Sequence, residues 1–371
     1  MLYHLLAPLG KHYLVFNLLN YISFRAAAAT VTAIIMAFLI GPPIIARLRA
    51  RKIGQVVRAE GPASHHGKRG TPTMGGVIIL LSALVPTLLW APLTNRFVLF
   101  AMLATLWMGA IGFLDDYLKV VQGKSRGLVA RWKLAGQFGF GLALGAYLIF
   151  SPVVSTTIMP ATATTVPFFK FVVVTFAPWA YLAFVTFIVA GTSNGVNLSD
   201  GLDGLAIGCT LIVSFVFVVL TYLAGHRTAS AYLQIPHVVG AGELTVFCAA
   251  MIGAGLGFLW FNCHPAQVFM GDTGSLALGG ALGIIAVLIH QPLVLVIAGG
   301  VFVMEAASVI LQTGWYRYTK RRYGTGARIF LMAPIHHHFE KKGWYESQVV
   351  IRFYILGVLC AVVALSTLKI R

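Results

Sequence analysis

Residues 97–116, FVLFAMLATLWMGAIGFLDD, are the stretch of sequence that decides the fold. Residues 97–114 carry no charge, and two adjacent aspartates, Asp115 and Asp116, follow them directly. An uncharged apolar run of about 18 residues or more is typical of a helix that spans a membrane. The stretch therefore predicts a transmembrane helix that ends in two carboxylates.

The same pattern recurs along the 371 residues, which are 58% hydrophobic and only 10% charged. Soluble domains carry roughly 25% charged residues, so this composition excludes a soluble enzyme, a disordered chain and a disulfide scaffold. We predict an all-α polytopic integral membrane protein, with a single transmembrane catalytic domain over residues 1–371 and about ten spans. The predicted spans lie near residues 22–42, 71–91, 97–114, 134–152, 171–190, 204–223, 239–261, 273–290, 293–313 and 349–368.

The positive charges are distributed unevenly between the two sides of these spans. The net charge is +17, and 20 of the 27 lysines and arginines fall in or beside the loops after the first, third and ninth spans. Cytoplasmic loops of membrane proteins are enriched in these residues. We therefore place those loops in the cytosol and both termini in the periplasm. The basic residues form no helical or aromatic-interleaved patch, so we predict no nucleic-acid partner.

All five aspartates of the chain lie on the predicted cytosolic side, at or beside helix ends in three different loops. They are Asp115, Asp116, Asp200, Asp203 and Asp272. Acids that served only solubility would be scattered over both faces. Carboxylates that converge opposite many cations indicate a cytosolic-face site for a metal ion and a phosphorylated substrate.

Asp115 and Asp116 lie at the predicted C-terminal end of a helix, where negative charge opposes the helix macrodipole. The structural alternative is an ion pair between Asp115 and Lys119, one turn further along the helix. We favour function, because two adjacent carboxylates require a cationic partner. One carboxylate could hold Mg²⁺ while the other faces a substrate hydroxyl or phosphate.

Residues 67–76, GKRGTPTMGG, contain two candidate substrate contacts, Lys68 and Thr73. A plain helix start explains Pro72 and the small residues equally well. The functional alternative is a contact between Lys68 and a phosphate near the helix N-terminus.

Residues 191–204, GTSNGVNLSDGLDG, predict a tight loop that holds Asn194, Asn197, Asp200 and Asp203. Helix capping is the structural alternative for Asp203, but it leaves the other three side chains unexplained. An EF-hand is excluded because the bidentate glutamate of its loop is missing. Amides and carboxylates on such a loop suit hydrogen bonds to a ribose, a base or a hydrated Mg²⁺.

Two further motifs complete the predicted site. Asp272, in FMGDTGS (269–275), is either a helix cap or a metal ligand, and the aspartates of the other loops favour the ligand. In PIHHHFE (334–340), the consecutive His336, His337 and His338 indicate metal binding, phosphate binding or proton transfer. Glu305 is the one acid well inside a predicted helix, and we favour a packing or polar helix–helix role for it.

Five motifs together resemble the polyprenyl-phosphate N-acetylhexosamine-1-phosphate transferases. They are PTMGG (72–76), DDYLK (115–119), NGVNLSDGLDGL (194–205), FMGDTGS (269–275) and PIHHHFEKKGW (334–344). The histidine triplet followed by Phe-Glu is similar to the branch of this family whose donor is UDP-N-acetylmuramoyl-pentapeptide. That resemblance implies a Mg²⁺-dependent enzyme of the bacterial inner membrane. It would transfer the donor's phospho-sugar to undecaprenyl phosphate, giving lipid I and UMP in peptidoglycan synthesis. It also implies a homodimer.

The resemblance assigns roles residue by residue. Asp272 would bind Mg²⁺, with Asp115 and Asp116 close to the reacting phosphates and Asp115 the candidate base. His336 would contact the donor's phosphate or sugar during catalysis. The remaining candidates bind the donor; they are Lys68, Thr73, Asn194, Asn197, Asp200, Asp203, His337 and His338. Direct displacement and a two-step route through an aspartyl phosphate are both compatible with these residues.

Two rival functions are compatible with parts of this pattern. A transporter would use the acids to couple ions, but such sites usually lie near the bilayer midplane, whereas these acids lie at one face. The second rival is the same chemistry with UDP-N-acetylglucosamine as donor. The loop from Tyr323 to Trp344 carries Arg328, Lys341 and Lys342. We expect this loop to be exposed, wide and cationic, which favours the bulky, carboxylate-bearing pentapeptide donor.

Overall fold

The computed structural model describes residues 1–51, 70–122, 127–151, 159–169 and 172–369. Within them, 15 α-helices and one two-stranded hairpin follow one another along the chain. The helices are α1 Leu2–Leu6, α2 Leu14–Asn17, α3 Ile22–Ala50, α4 Gly76–Trp90, α5 Arg96–Val120, α6 Ala130–Phe150, α7 Pro178–Ser199, α8 Leu205–Gly225, α9 Arg227–Leu233, α10 Leu244–Asn262, α11 Gly271–Leu288, α12 Pro292–Ala298, α13 Gly300–Tyr323, α14 Ile335–Lys341 and α15 Glu346–Ser366. Short 3₁₀ turns cover Ala7–Lys11, Leu18–Asn20 and Ala241–Glu243.

Each predicted apolar segment overlaps a helix of the described chain. Eight helices of the described chain are long and apolar enough to cross a membrane, and α12 with α13 supplies a ninth, bent by 83°. The shorter α4 is the tenth apolar segment. The prediction of a polytopic, nearly all-α membrane protein is therefore confirmed.

Two predicted spans differ from the observed helices for identifiable reasons. The span predicted at 171–190 was misplaced: α7 begins at Pro178, because residues 173–175 pair as strand β2 (Val173–Thr175) with β1 (Ala163–Thr165). Proline has a backbone already suited to the first helical turn, so α7 starts there. The span predicted at 293–313 is not one straight helix but breaks between Ala298 and Gly300, where two successive glycines interrupt it.

The most deeply buried helix is α11, which packs against α5 and α7. Its N-terminus approaches α4 and α5 so closely that only glycine fits at two positions. A Cβ on Gly76 would overlap the backbone of Gly274, and a Cβ on Gly112 would overlap the carbonyl of Asp272. Backbone hydrogen bonds from Gly75 and Gly76 to Phe269 and Met270, both 2.8 Å, fix the same junction. The start of α11 is thereby held beside the end of α5.

The small-residue pair Gly141 and Gly145 on α6 packs within the chain. A Cβ on Gly141 would lie 2.7 Å from the Cα of Thr186, and one on Gly145 would lie 3.4 Å from the Cα of Leu182. Both contacts are with α7, so this pair joins two helices of one bundle. The four cysteines are free; Cys209 and Cys248 are buried and Cys263 is exposed.

Candidate active site

Three of the predicted aspartates meet at one end of the bundle. Asp115 and Asp116 lie in the last turns of α5, and Asp272 lies in the first turn of α11. One carboxylate oxygen from each residue lies within 4.8 Å of the other two. Helices α5 and α7 end here while α11 begins here, so the cluster lies at a single face of the bundle. That position favours an enzyme over a transporter with a midplane site.

Asp116 forms hydrogen bonds with the first residues of α11. Its Oδ2 accepts hydrogen bonds from the backbone N–H of Thr273 at 2.9 Å and from the Thr273 hydroxyl at 2.7 Å. Its Oδ1 accepts from the backbone N–H of Asp272 at 3.1 Å. A carboxylate at a helix N-terminus is stabilised by the unpaired N–H groups and by the helix dipole. Asp116 is therefore hydrogen-bonded to the backbone that carries Asp272.

Asp115 and Asp272 instead share two lysines. The Nζ of Lys119 lies 2.5 Å from Asp115 and 3.0 Å from Asp272. The Nζ of Lys133 lies 2.8 Å from Asp272 and 3.8 Å from Asp115. Asp115 also accepts a 2.6 Å hydrogen bond from the backbone N–H of Leu128. The ion pair offered as the structural alternative is real, but it belongs to a network of two carboxylates and two ammonium groups.

Residues Asn194 and Asn197 lie in the final turns of α7, not in the predicted loop. Asn197 donates to Asp272 Oδ1 at 2.7 Å and to the Ser275 hydroxyl at 2.8 Å, so it orients the carboxylate. Asn194 donates to the Gln137 side chain at 2.7 Å and to the carbonyl of Ala190 at 2.8 Å. Its amide nitrogen therefore links α6 to α7 in this structure, a packing role that the sequence did not indicate.

Asp200 directly follows α7 and is electrostatically close to the cluster. Burial, together with the charges of Asp272 and Asp116, raises the pKa of the Asp200 carboxyl to about 8. A carboxyl with that pKa is mostly protonated at neutral pH and can donate a hydrogen bond. Asp200 thus differs in its surroundings from Asp115 and Asp272, which lie beside lysines.

Asp203 belongs to a second group of side chains, with His264 and Glu346. Asp203 Oδ2 lies 3.1 Å from His264 Nδ1 and accepts a 3.1 Å hydrogen bond from the backbone N–H of Ala266. The backbone N–H of Asp203 donates to Glu346 Oε1 at 2.8 Å. The prediction that Asp203 lies in the same carboxylate cluster as Asp272 is therefore wrong, because Asp203 groups with His264 and Glu346.

The histidine triplet lies on the short helix α14, so the expectation of an exposed loop was wrong for His336. That side chain is fully buried, whereas His337 pairs with Glu340 at 2.7 Å and His338 accepts from the backbone N–H of Leu331 at 3.1 Å. Burial and the charge of Lys342 lower the pKa of His338, which favours its neutral imidazole. His337 and His338 remain the members of the triplet that lie nearer the surface.

Thr73, in the motif at residues 67–76, lies at the site. A Cβ on Gly271 would lie 2.6 Å from Asp116 Oδ2 and 3.1 Å from Thr73 Oγ1, so both side chains border the positive-φ turn at Gly271. Lys68 lies outside the described residues. Gly75 and Gly76 of this motif serve helix packing, as the structural alternative proposed.

The donor set fits a hard divalent cation. Asp115, Asp116 and Asp272 offer only carboxylate oxygens, which are the ligands that Mg²⁺ prefers. Both oxygens of Asp116 accept backbone hydrogen bonds, whereas the oxygens of Asp272 contact the side chains of Asn197, Lys119 and Lys133. Asp272 is therefore better placed than Asp116 to bind a metal, because side chains can move aside. The two lysines supply the neutralising charge beside the carboxylates.

Sequence reasoning missed Lys133 and treated Lys119 only as an ion-pair partner. Both contact Asp272, and Thr273 and Ser275 complete the hydrogen-bond network around it. Lys133 lies in the first turn of α6, where a cation opposes the helix dipole. That unfavourable position was the available signal for a function.

Comparisons of the sequence with known proteins show its family. Residues 98–290 match the family model of glycosyl transferase family 4, and residues 68–80 match phospho-N-acetylmuramoyl-pentapeptide-transferase signature 1. The phospho-N-acetylmuramoyl-pentapeptide-transferase of Gemmatimonas aurantiaca is 56% identical to this chain, and those of Syntrophus aciditrophicus and a Geobacter species are 49% and 50% identical. Each alignment covers 100% of both proteins.

The membrane helices, the carboxylate cluster and the match over half of the chain define a membrane-embedded phosphoglycosyl transferase of glycosyl transferase family 4. More particularly, the full-length identities show that the chain belongs to the phospho-N-acetylmuramoyl-pentapeptide-transferase family. The predicted family resemblance is confirmed.

Proposed function

We infer that this chain transfers phospho-N-acetylmuramoyl-pentapeptide from its UDP-linked donor to undecaprenyl phosphate. The products are lipid I and UMP, in the first membrane step of peptidoglycan synthesis. Full-length similarity to transferases of that name supports this reaction. The acceptor is a lipid and the donor is water-soluble, so a site at one face of a helix bundle suits both substrates.

The observation that carries the proposal is the network of Asp115, Asp272, Lys119 and Lys133. Both lysines lie within 4 Å of both carboxylates, and the two aspartates are largely buried. Phosphoryl transfer depends mainly on positioning and on charge stabilisation, which fixed cations and carboxylates provide. We propose that the lysine ammonium groups bind oxygens of the transferred and attacking phosphates.

We propose Mg²⁺ as the cofactor, held by Asp272 with Asp115 adjacent. When bound, Mg²⁺ would neutralise the pyrophosphate and the charge of the departing UMP. Asn197 and Asp116 fix the carboxylate and the backbone of Asp272, so the ligand is oriented in advance. The second phosphate pKa lies near 6, so little proton remains on the acceptor at pH 7. Asp115 therefore orients the acceptor phosphate more than it deprotonates it.

We propose that the donor's nucleotide and sugar lie along the turn that carries Asp200 and Asp203, with His337 and His338 opposite. A protonated Asp200 would donate a hydrogen bond to a carbonyl or phosphate oxygen. Asp203 is held in place by His264 and by the backbone of Ala266. These contacts are proposals for binding rather than for bond breaking.

A surface cavity between α13 and α14 supports the pentapeptide donor. It has a volume of about 680 Å³ and is lined by Gln312, Leu331 and Met332 together with two cations, Arg328 and Lys341. Neither cation forms an ion pair with another described residue. Lysine and arginine in such a cavity would attract the carboxylates of a peptide, which UDP-N-acetylglucosamine lacks.

We further propose the bacterial inner membrane as the location, with the active site in the cytosol and both termini in the periplasm. The excess of lysine and arginine on one side supports this orientation. A homodimer is an expectation that rests on the family resemblance alone.

The experiment that tests the function measures UMP release by purified protein in detergent. UDP-N-acetylmuramoyl-pentapeptide and UDP-N-acetylglucosamine are offered separately, each with and without undecaprenyl phosphate. We expect acceptor-dependent turnover with the muramoyl donor alone. Comparable kcat/KM for UDP-N-acetylglucosamine would establish the rival donor, and absence of UMP from both would refute the enzyme assignment. A stoichiometric burst of UMP without acceptor would indicate the covalent two-step route.

A further inference from the structure

A buried acid and a buried histidine lie beside the proposed donor site without forming part of it. Glu305, on α13, and His336, on α14, have side chains with no exposed surface. Nδ1 of His336 lies 3.0 Å from Oε2 of Glu305. The angles of this contact are not those of a hydrogen bond, and no other described group hydrogen-bonds either side chain.

The pair connects three separate segments of the chain. Glu305 belongs to the helix that follows the 83° bend, and His336 is the second residue of α14. The other edge of the imidazole rests on Gly201, where an added Cβ would overlap Nε2. Gly201 directly follows Asp200 in the turn that leads to Asp203. The ring therefore lies between Glu305 and the backbone of the proposed donor-binding turn.

Stability alone is a poor explanation for such a pair. Replacing a buried ion pair with apolar side chains of similar volume is often neutral or stabilising, whereas removing one partner strands the other. A packing role would therefore be met equally well by two apolar residues. A buried carboxyl–imidazole pair in contact with the turn at Gly201 therefore points to a role in placing that turn rather than in folding.

We propose that Glu305 is a positioning residue for the transfer reaction, acting through His336. The carboxylate holds the imidazole against Gly201 and so fixes residues 200–204 relative to the carboxylate cluster. His336 is then the buried link of this chain of contacts, not a group that touches the donor. This inference rests on the proposed function, because it requires that the turn binds the UDP-linked donor.

The test compares Glu305→Gln with Ser308→Ala. Ser308 is buried on the same helix, and its hydroxyl donates to the backbone carbonyl of Glu305 at 2.7 Å, so it is a control matched for depth. Loss of a residue that orients a metal ligand typically costs about 10–100-fold in affinity or activity, and we use that range as the scale for a positioning residue. We expect Glu305→Gln to raise KM for the UDP-linked donor and Kd for UDP by about tenfold or more, with a smaller change in kcat. Ser308→Ala should leave both constants unchanged.

A second variant keeps the inference testable if Glu305→Gln does not fold. Gly201→Ala displaces the imidazole without stranding a buried charge, and it should raise the same two constants. In the double variant the two effects should be less than additive, because both act on one ring. A wild-type protein that releases no UMP would refute the proposed function itself. An active wild type in which Glu305→Gln and Gly201→Ala keep normal KM and Kd would overturn the positioning role alone.

Discussion

Replacing Asp272 with asparagine separates a metal ligand from a structural carboxylate. Asparagine preserves the shape and one acceptor oxygen but removes the charge that faces Lys119 at 3.0 Å and Lys133 at 2.8 Å. Neither lysine is stranded, since Asp115 lies 2.5 Å from the first and 3.8 Å from the second. The structural loss should therefore resemble that of a helix cap, about 1 kcal/mol.

The catalytic loss should be much larger. Removing one preorganised electrostatic group from a transition state typically lowers kcat by about 10²–10³-fold, or about 3–4 kcal/mol. We expect Asp272→Asn to lose at least about 100-fold in turnover while its melting temperature falls by only a few degrees. UMP release across a Mg²⁺ titration and thermal unfolding in the same detergent measure the two effects separately.

Asn95→Ala is the matched control for this experiment. Asn95 caps the N-terminus of α5, at the opposite end of that helix from the site, by accepting from the backbone N–H groups of Phe97 and Val98. It should lose about 1 kcal/mol of stability and no turnover per folded molecule. Near-normal turnover of Asp272→Asn at every Mg²⁺ concentration would refute the metal role and leave Asp272 as a structural ion-pair partner of Lys119 and Lys133.

Three further predictions follow from the charges and the topology. Because Asp200 has a pKa near 8, the wild type should lose activity as the pH rises through that value. Asp200→Asn should keep more activity than Asp200→Ala and should not show this loss at high pH. A wild-type activity that does not change with pH in this range would contradict the prediction. Replacing Arg328 and Lys341 with glutamine should raise KM for the pentapeptide donor and leave Kd for UDP unchanged; a parallel rise in both would exclude a peptide-binding cavity. An impermeant thiol reagent applied outside cells should label cysteine at Thr228 and not at Thr325, both exposed, and the reverse pattern would invert the proposed orientation.

The apolar segments were predictable because a bilayer imposes the same requirement on every span. Their ends were less predictable, since they depend on local competition. The β-branched residues before Pro178 form a hairpin strand instead of continuing the helix, and Gly299 with Gly300 permits a bend that hydropathy does not detect. Both features arise from backbone preferences of a few residues, which a window of 18 or more residues averages away.

The residue types at the site were predictable from the sequence, but the separate contacts of each aspartate were not. Aspartates from three loops indicated a metal and phosphate site, and Asp115, Asp116 and Asp272 do meet. Their separate roles depend on distant contacts: Lys133 precedes Asp272 by 139 residues, and Asn197 precedes it by 75. Periodicity and local motifs carry no information about contacts at such separations, so neither partner could be assigned from sequence.

Asp115 and Asp116 show how two identical side chains, one residue apart on a helix, make different contacts. Successive side chains on a helix point about 100° apart. At the end of α5 this angle directs Asp116 into the N-terminus of α11, where three hydrogen bonds occupy its oxygens. The same angle directs Asp115 toward Lys119 and the proposed phosphate site. Charge opposed to the dipole of α5 is therefore stabilised by the dipole of α11 on one side and by lysines on the other. The two aspartates therefore act together on Asp272: Asp116 fixes its position, and Asp115 shares Lys119 and Lys133 with it.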